Sequence, residues 1–237
     1  MRHLPIVRYM KSEVNNMTYK VVEKFVSING EGRLSGQLAV FIRFAGCNLD
    51  CSYCDTSWAN EKNVAYELMT KEEIYNYIKS TEVTNITLTG GEPLLQAEIL
   101  DLIKFLSKDE RLYIEIETNG SVSIKEFVMI ENTPKFTIDY KMPSSNMEDQ
   151  MLIDNFNYIR KKDTIKFVVG SMNDLNRAKY IIDQYDLTRK GNVYISPVFG
   201  KIDLNEMVEF MKTNKMNKVT LQVQLHKIIW DPEKRGV

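Results

Sequence analysis

Apolar residues along the chain fall into short runs separated by segments of helical period. Leu38–Phe44 reads Leu-Ala-Val-Phe-Ile-Arg-Phe, a nearly continuous apolar run typical of a strand buried on both faces. Comparable runs predict strands over Lys20–Phe25, Asn85–Thr89, Tyr113–Glu117, Phe136–Tyr140, Thr164–Val169, Val193–Pro197 and Val219–Leu225. Between them the period changes. Ile74, Tyr77 and Ile78 follow a capping-box pair, Thr70 and Glu73. Ile99, Leu102, Ile103 and Leu106 mark a second helix, and Leu175, Ala178, Ile182 and Tyr185 a third. Leu204, Met207, Val208 and Met211 follow another capping-box pattern, Asp203 and Glu206.

Strands alternating with helices imply parallel βαβ units with right-handed crossovers. A parallel sheet of this length tends to curl. The expected architecture is therefore α/β, an incomplete TIM-like β/α barrel in one domain over residues 19–237. Residues 1–18 read as an extension ahead of the domain, to which the sequence assigns no role. In α/β barrels the chemistry gathers at the C-terminal ends of the strands.

Composition narrows the function. The 237 residues can bury one sizeable core, and 43% hydrophobic with 27% charged residues is ordinary for a soluble globular protein. A net charge of -1 argues against a nucleic-acid binder that works by neutralising phosphates. No apolar run approaches membrane-spanning length. The first residues carry Arg2, Arg8, Lys11 and Glu13 without an apolar core, unlike a signal peptide.

All three cysteines lie within Cys47-Asn48-Leu49-Asp50-Cys51-Ser52-Tyr53-Cys54. Such clustering suggests one metal site, because thiolates favour iron–sulfur clusters and zinc. A structural zinc wants four protein ligands, and no fourth is evident, since His226 is far away in sequence. A 4Fe–4S cluster on three cysteines leaves one iron open, which separates a catalytic cluster from a four-cysteine electron carrier. Clustered reduced thiols also point to the cytoplasm.

The spacing Cys-x3-Cys-x2-Cys, with Tyr53 before the last cysteine, resembles the signature of the radical S-adenosylmethionine (SAM) superfamily, in which the open iron chelates SAM. Thr89-Gly90-Gly91-Glu92-Pro93 follows a predicted strand. Alone it could be a turn; downstream of the cysteines it is similar to the stretch that binds the amino end of SAM. Glu115 and Glu117 share one strand face, because side chains alternate. They are either a satisfied structural pair or, by resemblance, part of the stretch near the SAM ribose. Asp139-Tyr140-Lys141 and Ser196-Pro197-Val198-Phe199 end later strands and resemble positions lining the SAM pocket. The resemblance thus implies SAM contacts from Tyr53, Cys54, Asp55, Gly91, Glu92, Glu117, Asp139, Tyr140, Lys141, Ser196, Pro197, Val198 and Phe199.

A narrower resemblance follows from Ser27-Ile28-Asn29-Gly30-Glu31-Gly32, Arg43, Cys54-Asp55-Thr56 and Gln224-Leu225-His226-Lys227. Together these resemble the 7-carboxy-7-deazaguanine synthases, over about Tyr19 to Val237. The chain departs from that family in having Asn29 for the usual glutamine and Asp139-Tyr140-Lys141 for a frequent Ser-Pro-Lys. The resemblance implies a magnesium-dependent ring contraction of 6-carboxy-5,6,7,8-tetrahydropterin to 7-carboxy-7-deazaguanine, with loss of ammonia, on the route to queuosine. It also implies an external electron donor of flavodoxin or ferredoxin type and a homodimer.

Residue roles follow from the same resemblance. Cys47, Cys51 and Cys54 would hold the cluster, and Thr56 the magnesium, unless it is only a turn threonine. Arg43 would fork onto the pterin carboxylate, the alternative being a structural ion pair. Ile28, Asn29, Gly30 and Thr89 would meet the pterin. His226 is equally a core histidine or a substrate contact. Val237 would bring its α-carboxylate to the substrate, or else belong to a frayed tail. Two rivals stay open: a glycyl-radical activating enzyme, which would bind a protein partner, and a non-enzymatic iron–sulfur or zinc module.

Overall fold

The computed structural model describes residues 17–237. Most of the expected extension lies outside the described residues, and Thr18 already belongs to the first strand. Among the described residues nine strands form one sheet: β1 (Thr18–Ile28), β2 (Leu38–Phe44), β3 (Glu67–Thr70), β4 (Asn85–Gly90), β5 (Tyr113–Thr118), β6 (Lys135–Tyr140), β7 (Thr164–Val169), β8 (Asn192–Pro197) and β9 (Val219–Leu221). Their order is β3-β1-β2-β4-β5-β6-β7-β8-β9. From β2 to β9 every neighbouring pair is parallel, and the sheet is open, as an incomplete barrel requires.

Three features differ from the sequence reading. First, β1 pairs antiparallel with both β2 and β3. No helix intervenes between β1 and β2. The chain turns back instead, closed by Asn29 N–H donating to the Gln37 carbonyl and Gly36 N–H to the Asn29 carbonyl, each at 2.8 Å. Second, the short strand β3 has no recognisable apolar run, because Glu67 and Leu68 are exposed at the sheet edge. Third, β9 stops at Leu221. Beyond it, Gln222 bonds Gly32 on both N–H and carbonyl, and Leu225 N–H donates to the Gly30 carbonyl. The expected strand end thus braces the loop after β1, and α6 (Leu225–Ile229) begins there.

The helices follow their signals. α1 (Lys71–Ser80) starts on a complete capping box: Glu73 N–H donates to Thr70 Oγ1 and Thr70 N–H to Glu73 Oε2. In α2 (Ile99–Leu106) all four stripe residues are buried. α3 (Met172–Gln184) buries Leu175, Ala178 and Ile182, with Tyr185 half-buried just past its end, ahead of the short α4 (Leu187–Lys190). Asp203 caps α5 (Leu204–Thr213), but there only Met207 is fully buried, while Leu204 and Val208 stay exposed.

Strand alternation divides the sheet into two faces. Ile86, Leu88, Ile116, Ile138, Ile165 and Phe167 are buried on the face covered by helices. Each such side chain contributes about 1.5–3 kcal/mol on burial. The opposite, concave face carries Thr87, Thr89, Glu115, Glu117, Thr137, Asp139 and Lys166, aligned by the register of β4 to β7. A bulge in β1 between Val21 and Glu23 resets the parity of that strand. Val21 pairs with Phe44 on the helix side, whereas Glu23 pairs with Arg43 on the concave side.

Candidate active site

A cavity of about 550 Å³ opens where the parallel strands end. Its floor is the polar concave row, including Thr89, Glu117, Thr137, Asp139 and Lys166. One wall is the cysteine loop after β2, carrying Cys47, Cys51, Tyr53, Cys54, Asp55 and Thr56. The other wall is Ile28, Gly30 and Glu31 after β1, backed by Gln224, His226 and Lys227, and the segment from Pro232 to Val237 lines the cavity as well.

The cysteine loop is held by backbone close to backbone. Gly91 N–H donates to the Phe44 carbonyl at 3.0 Å and Glu92 N–H to the Gly46 carbonyl at 2.8 Å. A Cβ on Gly91 would stand 1.9 Å from the Gly46 oxygen, and one on Gly90 2.3 Å from the Phe44 oxygen. Gly90 also has a φ of 137°, a backbone conformation suited to glycine. The glycine pair therefore lets β4 meet the cysteine loop, beyond any approach to a ligand. Farther along, Asn119 Nδ2 reaches Cys47 Sγ at 3.5 Å, Leu49 N–H reaches the same sulfur at 3.4 Å, and Ser52 bonds the Ser144 and Ser145 carbonyls.

Glu92 locks this seam. Its carboxylate is fully buried and accepts from Leu94 N–H at 3.0 Å, Thr118 Oγ1 at 2.9 Å and Asn119 N–H at 2.6 Å. Those three donors favour the charged form, yet burial outweighs them and pushes the carboxyl up to about 7. Glu92 does not line the cavity; Gly91 does.

All three thiols face the cavity and are free. Burial pushes the Cys47 thiol up and the Cys51 thiol to about 11, so metal must displace protons on binding. Among the described residues no three His, Cys, Asp or Glu side chains converge on a single ion. Three soft thiolates on one cavity are a donor set that an iron–sulfur cluster takes.

The charges on the floor are paired across the strands. Lys166 Nζ lies 3.1 Å from Glu31 Oε2 and 3.8 Å from Asp139 Oδ2, while Lys141 Nζ lies 2.9 Å from the same Asp139 oxygen. Burial works against the Lys166 charge, but Glu31, Asp139 and Glu117 hold the ammonium well above its usual range. Burial raises the Glu117 carboxyl, with Lys166 opposing. Desolvation would raise Asp55 too, but Lys227, Arg43, Lys166 and His226 together hold it below the usual carboxylate range. Burial lowers His226, leaving a neutral imidazole at pH 7. Glu31 Oε1, Asp139 Oδ1 and Asn60 Oδ1 are buried with no hydrogen-bond partner among the described residues. These unsatisfied acceptors around the cavity suit a ligand rich in N–H and O–H donors.

The radical SAM superfamily model matches residues 41–131. The 7-carboxy-7-deazaguanine synthase of Clostridium acetobutylicum is 63% identical, covering 93% of this chain and 100% of the relative. The chain belongs to the 7-carboxy-7-deazaguanine synthase family. The synthase of Chlorobaculum tepidum is 33% identical over 92% of this chain and 96% of its own. The fold is also that of the crystal structure of QueE from Escherichia coli, with a TM-score of 0.70 at 21% identity, covering 88% of this chain and 94% of that one.

Within this family frame, most expected site residues lie together. Ile28, Gly30, Arg43, Thr89, Gly91, Glu117, Asp139, Lys141, Val198, Phe199, His226 and Val237 line the cavity with the cysteine loop. Others sit elsewhere. Tyr140 shares the helix-side parity of Ile138; it packs on Phe156 and Phe167, and its hydroxyl donates to Glu148 at 3.1 Å. Asn29 is buried under the loop, accepting from Thr87 Oγ1 at 3.0 Å. Ser196 registers beside Val168 but is fully buried, and Pro197 registers with Val169 on the helix side. Sequence reasoning passed over Lys166, Glu31, Glu23, Asn60 and Trp58, all of which line the cavity. A lysine inside the apolar run Thr-Ile-Lys-Phe-Val-Val was the available signal for the first.

The Glu92 environment makes stability depend on pH. Its folded value of about 7 stands above the ordinary 4.5, so folding takes up a proton between the two. The stabilisation is complete below about 4.5 and lost as pH rises through about 7. Glu92→Gln, which cannot ionise, should flatten the fall in unfolding free energy, measured by urea titration, between pH 5 and 8, by about 1–3 kcal/mol over the range. The variant should also be less stable at pH 7, by about 1–3 kcal/mol, because an amide nitrogen must then face a backbone donor. Identical slopes for both proteins would assign the pH dependence to other groups.

Proposed function

We propose that this chain converts 6-carboxy-5,6,7,8-tetrahydropterin to 7-carboxy-7-deazaguanine with loss of ammonia, as a radical SAM lyase in the queuosine route. The observation that carries the reading is 63% identity to a named synthase over its whole length. The relatives from Clostridium acetobutylicum and Chlorobaculum tepidum both carry the synthase name, which favours this reading over a glycyl-radical activating enzyme. When bound, the 4Fe–4S cluster and SAM supply the radical chemistry; the remaining tasks belong to the chain.

Cys47, Cys51 and Cys54 hold the cluster on the seam that Glu92 locks. Tyr53, Asp55, Gly91, Glu117, Asp139, Lys141, Val198 and Phe199 form the SAM side, and the unpaired Asp139 oxygen accepts from a ligand hydroxyl or amine. On the substrate side, Arg43 grips the carboxylate. Ile28, Gly30 and Thr89 bound the ring, neutral His226 offers it a hydrogen bond, and Val237 meets it from the tail. Asn29 acts from beneath, fixing the loop to Thr87. Thr56 is the magnesium ligand: its side chain makes no cap bond to the turn Ser57–Asn60, and its hydroxyl lies 3.7 Å from Cys54 Sγ, a hard oxygen donor beside the cysteine loop. The tail over the cavity excludes water from the reacting centre. An external flavodoxin or ferredoxin delivers the electron. The exposed Leu204 and Val208 on α5 suit a homodimer contact, which light scattering would read directly.

Anaerobic incubation with SAM, magnesium, a reductant and the carboxypterin should yield 7-carboxy-7-deazaguanine by mass spectrometry. Thr56→Ala should raise the magnesium needed for half-maximal turnover while leaving iron content unchanged. Absence of product from cluster-loaded protein would refute the assignment, and an unchanged magnesium requirement would refute the role of Thr56.

The tail supplies a second expectation. The Arg235 guanidinium lies 4.0 Å from the centroid of the Trp58 ring, which ties the tail to the turn after the cysteine loop. Arg235→Ala should raise KM for the pterin about two- to tenfold. SAM cleavage without substrate should stay at the wild-type rate. An unaltered KM would show that the tail needs no such tie.

A further inference from the structure

The bulge in β1 has a consequence for the substrate side of the cavity. Without it, strict alternation would carry Glu23 onto the helix-covered face with Tyr19 and Val21. With it, Glu23 registers opposite Arg43 on the concave face, and both line the cavity. Arg43 Nε donates to Glu23 Oε2 at 3.2 Å, and both side chains are mostly shielded from solvent. Among the described residues this is the hydrogen bond the guanidinium makes, and its terminal nitrogens are unspent. A guanidinium bound on its Nε side keeps the Nη fork, the edge that takes a carboxylate in bidentate fashion.

Competing anions stand close by. Asp55 and Glu117 lie on the same cavity and within electrostatic reach of Arg43. An untethered guanidinium could swing to either and neutralise itself there.

We infer that Glu23 is a positioning residue that anchors Arg43 by its Nε edge, so that the free fork selects a carboxylate-bearing substrate. The inference rests on Arg43 being the carboxylate reader proposed above. In this role Glu23 acts on the substrate through Arg43. It sets specificity by denying Arg43 its other partners.

The test uses the cluster-loaded, SAM-bound full chain. Discrimination is read as the inhibition constant of tetrahydropterin lacking the carboxylate divided by KM for 6-carboxy-5,6,7,8-tetrahydropterin. Glu23→Ala should shrink that ratio about tenfold or more, through KM, with the inhibition constant unchanged. Glu23→Gln, whose amide oxygen still accepts from Nε, should restore most of it. If the alanine variant does not fold, Glu23→Asp replaces it, because the shorter side chain withdraws from Nε; the same loss is expected. Arg43→Ala tests the underlying reading and should abolish discrimination. Discrimination that survives Arg43→Ala removes that reading and the inference with it. Discrimination lost in Arg43→Ala but intact in Glu23→Ala or Glu23→Asp overturns the role of Glu23 alone, leaving it a structural ion pair.

Discussion

The carboxylate of Glu92 carries the geometry of the whole site. It is an anion-capable group sealed from water, and the three hydrogen bonds it accepts come from the turn after β4 and the end of β5. Asn119, one of those donors through its backbone, reaches Cys47 and Asn48 through its side chain. A chain of direct contacts thus runs from the sheet interior to the cysteine loop. The adjoining Gly90-Gly91 pair closes the same seam without side chains, which only glycine permits at such backbone spacing. The cysteine loop needs this support because three thiols on a flexible segment would not keep a fixed arrangement toward a ligand.

The floor of the cavity obeys a second constraint, charge balance. Glu31, Glu117, Asp139 and Lys166 could not share so confined a space unpaired, since each buried charge costs several kcal/mol without a partner. Lys166 answers by bridging Asp139, on the neighbouring strand and beside the cysteine loop, to Glu31, on the loop after β1. Glu31 and Asp139 each keep one oxygen on the lysine and leave the other without a partner among the described residues. The protein is therefore satisfied on one side of each acceptor and available on the other, which is the arrangement a preformed ligand site needs.

Much of this was legible in the sequence. The cysteine spacing lies on one loop and needs no distant residue to be recognised. The capping box at Thr70 and Glu73 and the stripe of α2 are local, governed by helical period and caps. The alternation of strands and helices also carried the parallel sheet from β4 onward. Arg43, Gly30, His226 and Val237 were reached through resemblance, and the cavity brings them together.

Tertiary structure decided what parity and pairing alone cannot. Glu92 and Gly91 are adjacent in sequence, yet one locks the seam and the other meets the cavity, because packing against Gly46 and Asn119 separates them. Tyr140 follows Asp139 but faces the opposite side of the sheet, as a period of two demands. Glu23 faces the cavity only because one extra residue in β1 resets that period, and no local pattern announces a bulge. Lys166 meets Glu31 across 135 positions of sequence, a contact that exists only once the sheet has curled. Local signals determined the elements and the cysteine loop; long-range pairing, fixed by burial and charge neutralisation, decided which side chains line the cavity.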